Sequence, residues 1–269
     1  MLTLLIILGV YALICMLMYT FQEKFIFLPD KLDKDHRFSF SGPFEEINIT
    51  TEDEKMLHGV LFKSDSAKGL IFYLHGNAGS IDSWGHVAEL YTSLQYDIFL
   101  LDYRGYGKSD GTIKNEEQLF QDFHAAYNEV LKRYDEANVI VLGYSIGTGP
   151  AANLASANNP KLLILQAPYY SLTDVMKHTY RIIPTFLLKY KLELYRYIPD
   201  CRMPIILFHG DEDGVIPYNQ SLKLKKLLKP SDTLITIKGL GHNGMTFNSD
   251  YIREIERVLK KIVSVKKQP

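Results

Sequence analysis

The sequence predicts an α/β fold in which about eight strands form a mostly parallel sheet, with helices on both faces, a small cap and an N-terminal transmembrane helix. Three observations predict it. From residue 45 onward, short β-rich runs alternate with helical patterns. Most of those runs are continuous apolar stretches, as strands buried on both faces require. One of them leads into VIVLGYSIGTGPAA (139–152), where a serine stands between glycines at a strand-to-helix turn.

The elements follow in chain order. The first 22 residues carry no charged side chain, and at 1.5 Å per residue they make about 33 Å of helix, enough to cross a bilayer. A cleaved signal peptide needs a basic start, a shorter apolar run and a small-x-small site, none of which is here, so residues 1–22 are expected to stay as a membrane anchor. Lys24, Lys31, Lys34 and Arg37 follow the segment and no basic side chain precedes it, which by the positive-inside bias favours a cytoplasmic domain, although the sequence leaves the side of the membrane open. Residues 23–44, with Pro29 and Pro43, are expected to be a short connector to a single domain at 45–269.

In that domain EEINITT and LHGVLFK lie close enough to pair as an antiparallel hairpin at the sheet edge. The remaining strands are LIFYLHG (70–76), YDIFLLDYRG (96–105), NVIVLGYS (138–145), KLLILQAP (161–168), PIILFHG (204–210) and DTLITIKG (232–239). Between them, residues 115–134 place Leu119, Phe123, Ala126, Tyr127, Val130 and Tyr134 at helical spacing, with Asn115 and Gln118 as an N-terminal cap. Residues 249–263 repeat the pattern through Ile252, Ile255, Val258, Leu259 and Ile262. The long stretch 169–203, rich in Tyr, Leu and Ile, reads as a cap over the site, and its bulk suggests an acyl pocket.

Composition narrows the function classes. A formal net charge of −1 with scattered lysines gives no field for nucleic acid. The two cysteines, Cys15 in the apolar segment and Cys201 far downstream, form neither a disulfide framework nor a zinc site. ALICM around Cys15 lacks the small residue that precedes a lipidated bacterial cysteine. Asn48 and Asn219 sit in glycosylation tripeptides that matter only in a glycosylating lumen. RGYGKSDG fails as a nucleotide loop because position 110 is Asp.

The chemistry gathers at one rim. Parallel strands deliver their C-terminal ends to the same edge of the sheet, where ligands bind. There stand His75-Gly76-Asn77, Ser145, Asp211 to Asp213, and His242 in GLGHNG. Glycines two places either side of Ser145 point to a crowded turn that lifts Oγ above the sheet at a helix N-terminus, where developing negative charge is favoured. His75 and His209, each before a Gly at a strand end, are assigned structural hydrogen bonds, and no H-E-x-x-H or cysteine cluster supports a metal.

Ser, Asp and His in that chain order, with HGNAG (75–79), DYRGYGKSDG (102–111), GYSIG, HGDEDGVIP (209–217) and GHN (241–243), resemble the serine α/β-hydrolase superfamily over residues 45–269. They are most similar to its Bem46, membrane-anchored ABHD-type branch, which the anchor followed by EKFIFLP also fits. The resemblance implies a nucleophile at Ser145, a base at His242 and an acid at Asp213, where the family's H-G-x-x-D pattern falls; Asp211, nearer the strand end, is the rival. It implies an oxyanion hole from the backbone N–H groups of Ile146 and Asn77. It makes 102–111 a structural turn, so Asp102 and Arg104 need not be catalytic.

The expected activity is cleavage of acyl esters or thioesters through an acyl-enzyme, without a cofactor and without a metal. Carboxylesterase, monoacylglycerol or lysophospholipid lipase and acyl-protein thioesterase are the types in view, with a small or lipid-like acyl substrate. A serine peptidase is the rival within enzymes, and a non-catalytic hydrolase-fold binding protein the rival outside them. The oligomeric state is not legible in the sequence.

Overall fold

The computed structural model describes residues 1–265, so the last four residues assigned to the domain lie outside the described region. Eight strands form one sheet: β1 (Phe44–Thr50), β2 (Met56–Phe62), β3 (Leu70–Leu74), β4 (Asp97–Asp102), β5 (Val139–Tyr144), β6 (Leu162–Gln166), β7 (Ile205–Gly210) and β8 (Thr233–Ile237). Their order is β8-β7-β6-β5-β3-β4-β2-β1. All neighbours from β8 to β4 run parallel, while β2 pairs antiparallel with both β4 and β1, which makes the expected hairpin the edge of the sheet.

Alternation along each strand divides the core into two layers. Leu70, Phe72 and Leu74 of β3 join Val139 and Val141 of β5 on one face, and Ile71 and Tyr73 join Ile140 and Leu142 on the other. Helices cover both faces, as buried parallel strands demand. Helix α1 (Leu2–Phe21) precedes the sheet, and α2 (Ala88–Ser93) packs on the second face. On the first face lie α3 (Glu116–Leu131), through Leu119, Phe123, Ala126, Tyr127 and Val130, and α4 (Thr148–Ala157). The Asn115 side chain caps α3 by accepting from the Gln118 N–H at 2.8 Å. Helix α5 (Leu172–Thr179) lies in the cap, α6 (Asn219–Lys225) follows β7, and α7 (Ser249–Val265) sets Tyr251, Ile255 and Leu259 against the second face.

Two segments carry contacts that the sequence plan did not specify. Residues 23–44 are more than a connector, because they lace the rim that carries the site. Leu28–Pro29 form a two-residue parallel ladder with Ala78–Gly79, and Leu32 N–H donates to the Gly107 carbonyl at 3.0 Å. Phe27 and Phe38 are buried. The cap, in turn, is a set of short helical turns whose inner residues Tyr190, Leu192 and Leu194 belong to the main core.

Helix α1 is long and apolar enough to cross a membrane, by length and composition, and none of its residues is buried. It nonetheless meets the cap. The Gln22 side chain, just past its end, donates to the Leu187 carbonyl at 3.0 Å and accepts from the Lys189 N–H at 2.7 Å. Phe27 and Tyr190 meet edge to face at 5.1 Å. Gln22 is buried, so Gln22→Ala leaves two cap backbone groups without partners and is expected to lower stability by about 1–3 kcal/mol. Thermal unfolding in detergent reads that loss, with faster proteolysis of the cap as its local signature.

Candidate active site

Strand β5 ends at Tyr144, and Ser145 takes φ +53°, a left-handed conformation that non-glycine residues rarely adopt. A 3₁₀ turn, Ser145–Gly147, then leads into α4. The crowding inferred from the flanking glycines is present on both sides. A Cβ on Gly143 would stand 2.5 Å from the Gly147 carbonyl oxygen, and one on Gly147 would stand 2.3 Å from that of Leu74 and 2.7 Å from that of His75. The elbow is therefore pressed against the end of β3, which brings the 75–79 loop beside Ser145. Both obstacles at Gly147 are backbone, so Gly147→Ala is expected to cost about 1–3 kcal/mol as an overpacked site. Denaturant unfolding measures it.

The structure brings Ser145, His242 and Asp213 into one line. Ser145 Oγ lies 2.9 Å from His242 Nε2, and His242 Nδ1 lies 2.7 Å from Asp213 Oδ2. With the proton on Nδ1, His242 donates to Asp213 and accepts from the serine hydroxyl. The three side chains come from the ends of β5, β7 and β8, so the parallel sheet itself assembles them. Asp213 is buried and accepts from the Val215 and Ile216 amides, each at 2.8 Å. Burial alone would raise its pKa, yet hydrogen bonds from His209 and His242 and from the Ile216 amide outweigh it and hold the carboxyl well below the usual carboxylate range. Asp211 faces elsewhere: it pairs with Lys238 at 2.9 Å and accepts from the Gly239 N–H at 2.7 Å, capping a turn.

The two expected oxyanion donors belong to two separate segments. Ile146 follows it in the 3₁₀ turn. Asn77 lies on the loop after β3, where its carbonyl accepts from the Leu28 N–H at 2.9 Å and the Tyr106 hydroxyl at 2.7 Å. Tyr103 holds the same loop by donating to the His75 carbonyl at 2.6 Å, and the Trp84 indole donates to the Ala78 carbonyl at 2.7 Å. The His75 ring stacks on Tyr103 at 4.0 Å, and burial lowers its pKa, so it serves as neutral packing.

Two supporting residues, His209 and Tyr144, complete the site, and of these only His209 is assigned structural hydrogen bonds from the sequence. His209 Nε2 stands 3.2 Å from Asp213 Oδ2 and 2.9 Å from the Ile216 carbonyl, while its Nδ1 meets Ser221 Oγ at 2.6 Å, so it fixes the carboxylate from behind. The Tyr144 hydroxyl donates to the His242 carbonyl and ties the histidine loop to the elbow. Only the His-Gly pair at the end of β7 hinted at the first. Asp102 and Arg104 are structural: Asp102 accepts from the Ile81 N–H at 2.8 Å, and Arg104 bridges Asp53 and Asp122.

A cavity of about 390 Å³ opens beside Tyr144 and Asn243, neighbours of Ser145 and His242. Trp84, Val87, Met245 and Phe247 are among its apolar lining residues. None of residues 169–203, whose bulk suggested an acyl pocket, is among the residues that line this cavity. Their inner side chains are committed to packing instead, as when Tyr169 accepts from the Gly149 N–H at 3.0 Å and donates to the Ile146 carbonyl at 3.0 Å. Among the described residues, no three His, Cys, Asp or Glu side chains gather as a metal site.

A serine hydrogen-bonded to an imidazole that is fixed by a carboxylate is equipped to attack an acyl carbon. Residues 65–198 match the serine aminopeptidase, S33 family. The chain is 30% identical over 208 residues to human alpha/beta hydrolase domain-containing protein 17B, covering 74% of this chain and 68% of that protein. It is 26% identical over 255 residues to protein R595 of Acanthamoeba polyphaga mimivirus, covering 81% and 86%. Among solved structures, the Pyrococcus furiosus esterase PF2001 superposes with a TM-score of 0.71 at 19% identity, covering 88% of this chain and 98% of that one.

Proposed function

This chain belongs to the α/β-hydrolase family, in its ABHD-type branch, and from that premise we propose that it is a membrane-tethered serine hydrolase that cleaves acyl esters or thioesters. One observation carries the reading: a buried, strained Ser145 hydrogen-bonded to His242, which is hydrogen-bonded to Asp213. Ser145 Oγ attacks the acyl carbon while His242 Nε2 takes its proton, and Asp213 stabilises the imidazolium. The N–H groups of Ile146 and Asn77 receive the negative charge of the tetrahedral intermediate. His242 then protonates the departing alcohol or thiol, leaving an acyl-Ser145. Water, deprotonated by His242, releases the acid and restores the serine.

The apolar cavity beside Tyr144 suits an acyl chain, and α1 brings the site to a lipid surface, so monoacylglycerols, lysophospholipids and S-acylated proteins are the substrate classes in view. The S33 match favours a second reading, hydrolysis of an aminoacyl amide by the same machinery. Both readings are tested with full-length protein in detergent, because Gln22 holds the cap. Turnover of p-nitrophenyl esters and acyl thioesters that disappears in Ser145→Ala supports the proposal. Turnover confined to aminoacyl anilides selects the second reading, and a folded protein that neither turns over nor reacts with a fluorophosphonate defeats both.

A further inference from the structure

The cap does not stop at the base of α1 but runs up alongside it. The Tyr11 hydroxyl donates to the Ile182 carbonyl at 2.6 Å, and the Gln22 side chain holds Leu187 and Lys189. Tyr11 lies ten residues inside the end of the helix, about 15 Å along its axis. Half the hydrocarbon thickness of a bilayer is also about 15 Å. If α1 spans a membrane, residues 180–188 stand beside it within the lipid.

Their chemistry fits that place. Tyr180, Ile182 and Phe186 are 51%, 76% and 82% exposed, a large apolar display on the surface of one short segment. Between Thr179 and Leu188 the only charged side chain is Arg181, of a type whose long apolar stem can lie along lipid while its charge seeks the headgroups. Lys177 and His178 precede the segment, and Lys189 closes it while pairing with Glu23 at 3.1 Å and lying 4.8 Å over the Tyr19 ring. The segment is thus an apolar tip with a basic fringe, as an anionic interface favours.

Non-helical backbone is costly in lipid unless its polar groups find partners, and this segment supplies some of its own. Here Ile183 N–H donates to the Tyr180 carbonyl at 3.0 Å, Leu187 N–H to Pro184 at 3.2 Å and Leu188 N–H to Thr185 at 3.2 Å. Pro184 brings no donor. The carbonyls of Ile182 and Leu187 are the ones that α1 and Gln22 satisfy. Tyr11, in the same exchange, gains a partner for a hydroxyl that would otherwise face hydrocarbon.

We infer that residues 180–188 form a second membrane-inserting element, docked on the anchor and dipping with it into the acyl region of the bilayer. This rests on reading α1 as a membrane span, and not on the reaction that the site performs. The catalytic rim is then held against the lipid at two points, which fixes its orientation as well as its distance.

Environment-sensitive fluorophores on single cysteines test it in full-length protein reconstituted into vesicles containing anionic phospholipid. Cys15→Ala provides the background, since Cys201 is buried with its thiol pushed up to about 12 and stays unlabelled. Labels go at Ile182→Cys, Phe186→Cys, Leu8→Cys as the anchor standard, and Ser231→Cys before β8, at the opposite end of the parallel strands from Ser145. Blue-shifted emission, quenching by spin-labelled acyl chains and loss of quenching by aqueous iodide at 182 and 186, as at 8 and unlike 231, are expected. Lipid burial at 8 with water-like behaviour at 182 and 186 overturns the inference and leaves the anchor standing. Water-like behaviour at 8 as well overturns the anchor and the inference together.

Discussion

Ser145→Ala is expected to lower kcat about a million-fold while leaving the fold intact. The nucleophile is the only group removed, so the residual rate reflects binding and the oxyanion donors, about a thousand-fold or more above water. The loss in stability should be small, about 0.5–1.5 kcal/mol for one hydrogen bond, because alanine inherits the same left-handed backbone and gains no relief from it. Fluorophosphonate labelling must vanish in parallel. The double variant Ser145→Ala with His242→Ala sharpens the test. Groups that act as a unit are not additive, so adding the second substitution should cost almost nothing further in kcat. Losses that multiply would mean that the two side chains work independently, and the 2.9 Å contact between them would then be structural only.

Much of the fold was legible because the strands are buried on both faces, and a strand buried in that way writes a continuous apolar run into the chain. The elbow was legible for a steric reason. Gly143 and Gly147 are needed because a Cβ at either would strike backbone, and that demand shows in the sequence without any knowledge of the fold. The line from Ser145 through His242 to Asp213 follows from strand ends meeting at one rim. What could not be read were contacts between segments far apart in sequence, where one residue of each pair looks ordinary. Tyr11 and Ile182 are 171 residues apart, and Gln22 and Lys189 are 167 apart. Neither Gln22 nor Tyr11 disturbs the apolar or polar pattern around it. The cap was legible only as apolar bulk for a related reason: such bulk announces burial or lipid, and composition alone does not say whether it faces a substrate, the core or a membrane.

Asp213→Asn is expected to lower kcat about ten-thousand-fold with little change in the positions of the three side chains. The carboxylate accepts from His242 Nδ1 and so keeps Nε2 free to receive the serine proton. An amide nitrogen presented at the same place donates instead, which moves the imidazole proton to Nε2 and leaves the serine without a base. Asp211→Asn, two residues away, removes only a surface pair with Lys238 and a turn cap, and should leave kcat within about twofold. Stability should separate the wild type from Asp213→Asn in a pH-dependent way. Because the folded carboxyl titrates below its unfolded value of about 4, ionised Asp213 contributes stability that is fully present above that pH and is lost as pH falls toward the folded value. The gap in melting temperature should therefore hold from neutral pH down to about 5 and narrow below about 4. Equal gaps at pH 7 and pH 3 would show that the asparagine variant is destabilised by lost packing. A gap that narrows on acidification, joined to the kcat loss, would mean that one charge both holds His242 in its working tautomer and ties the loops after β7 and β8 together.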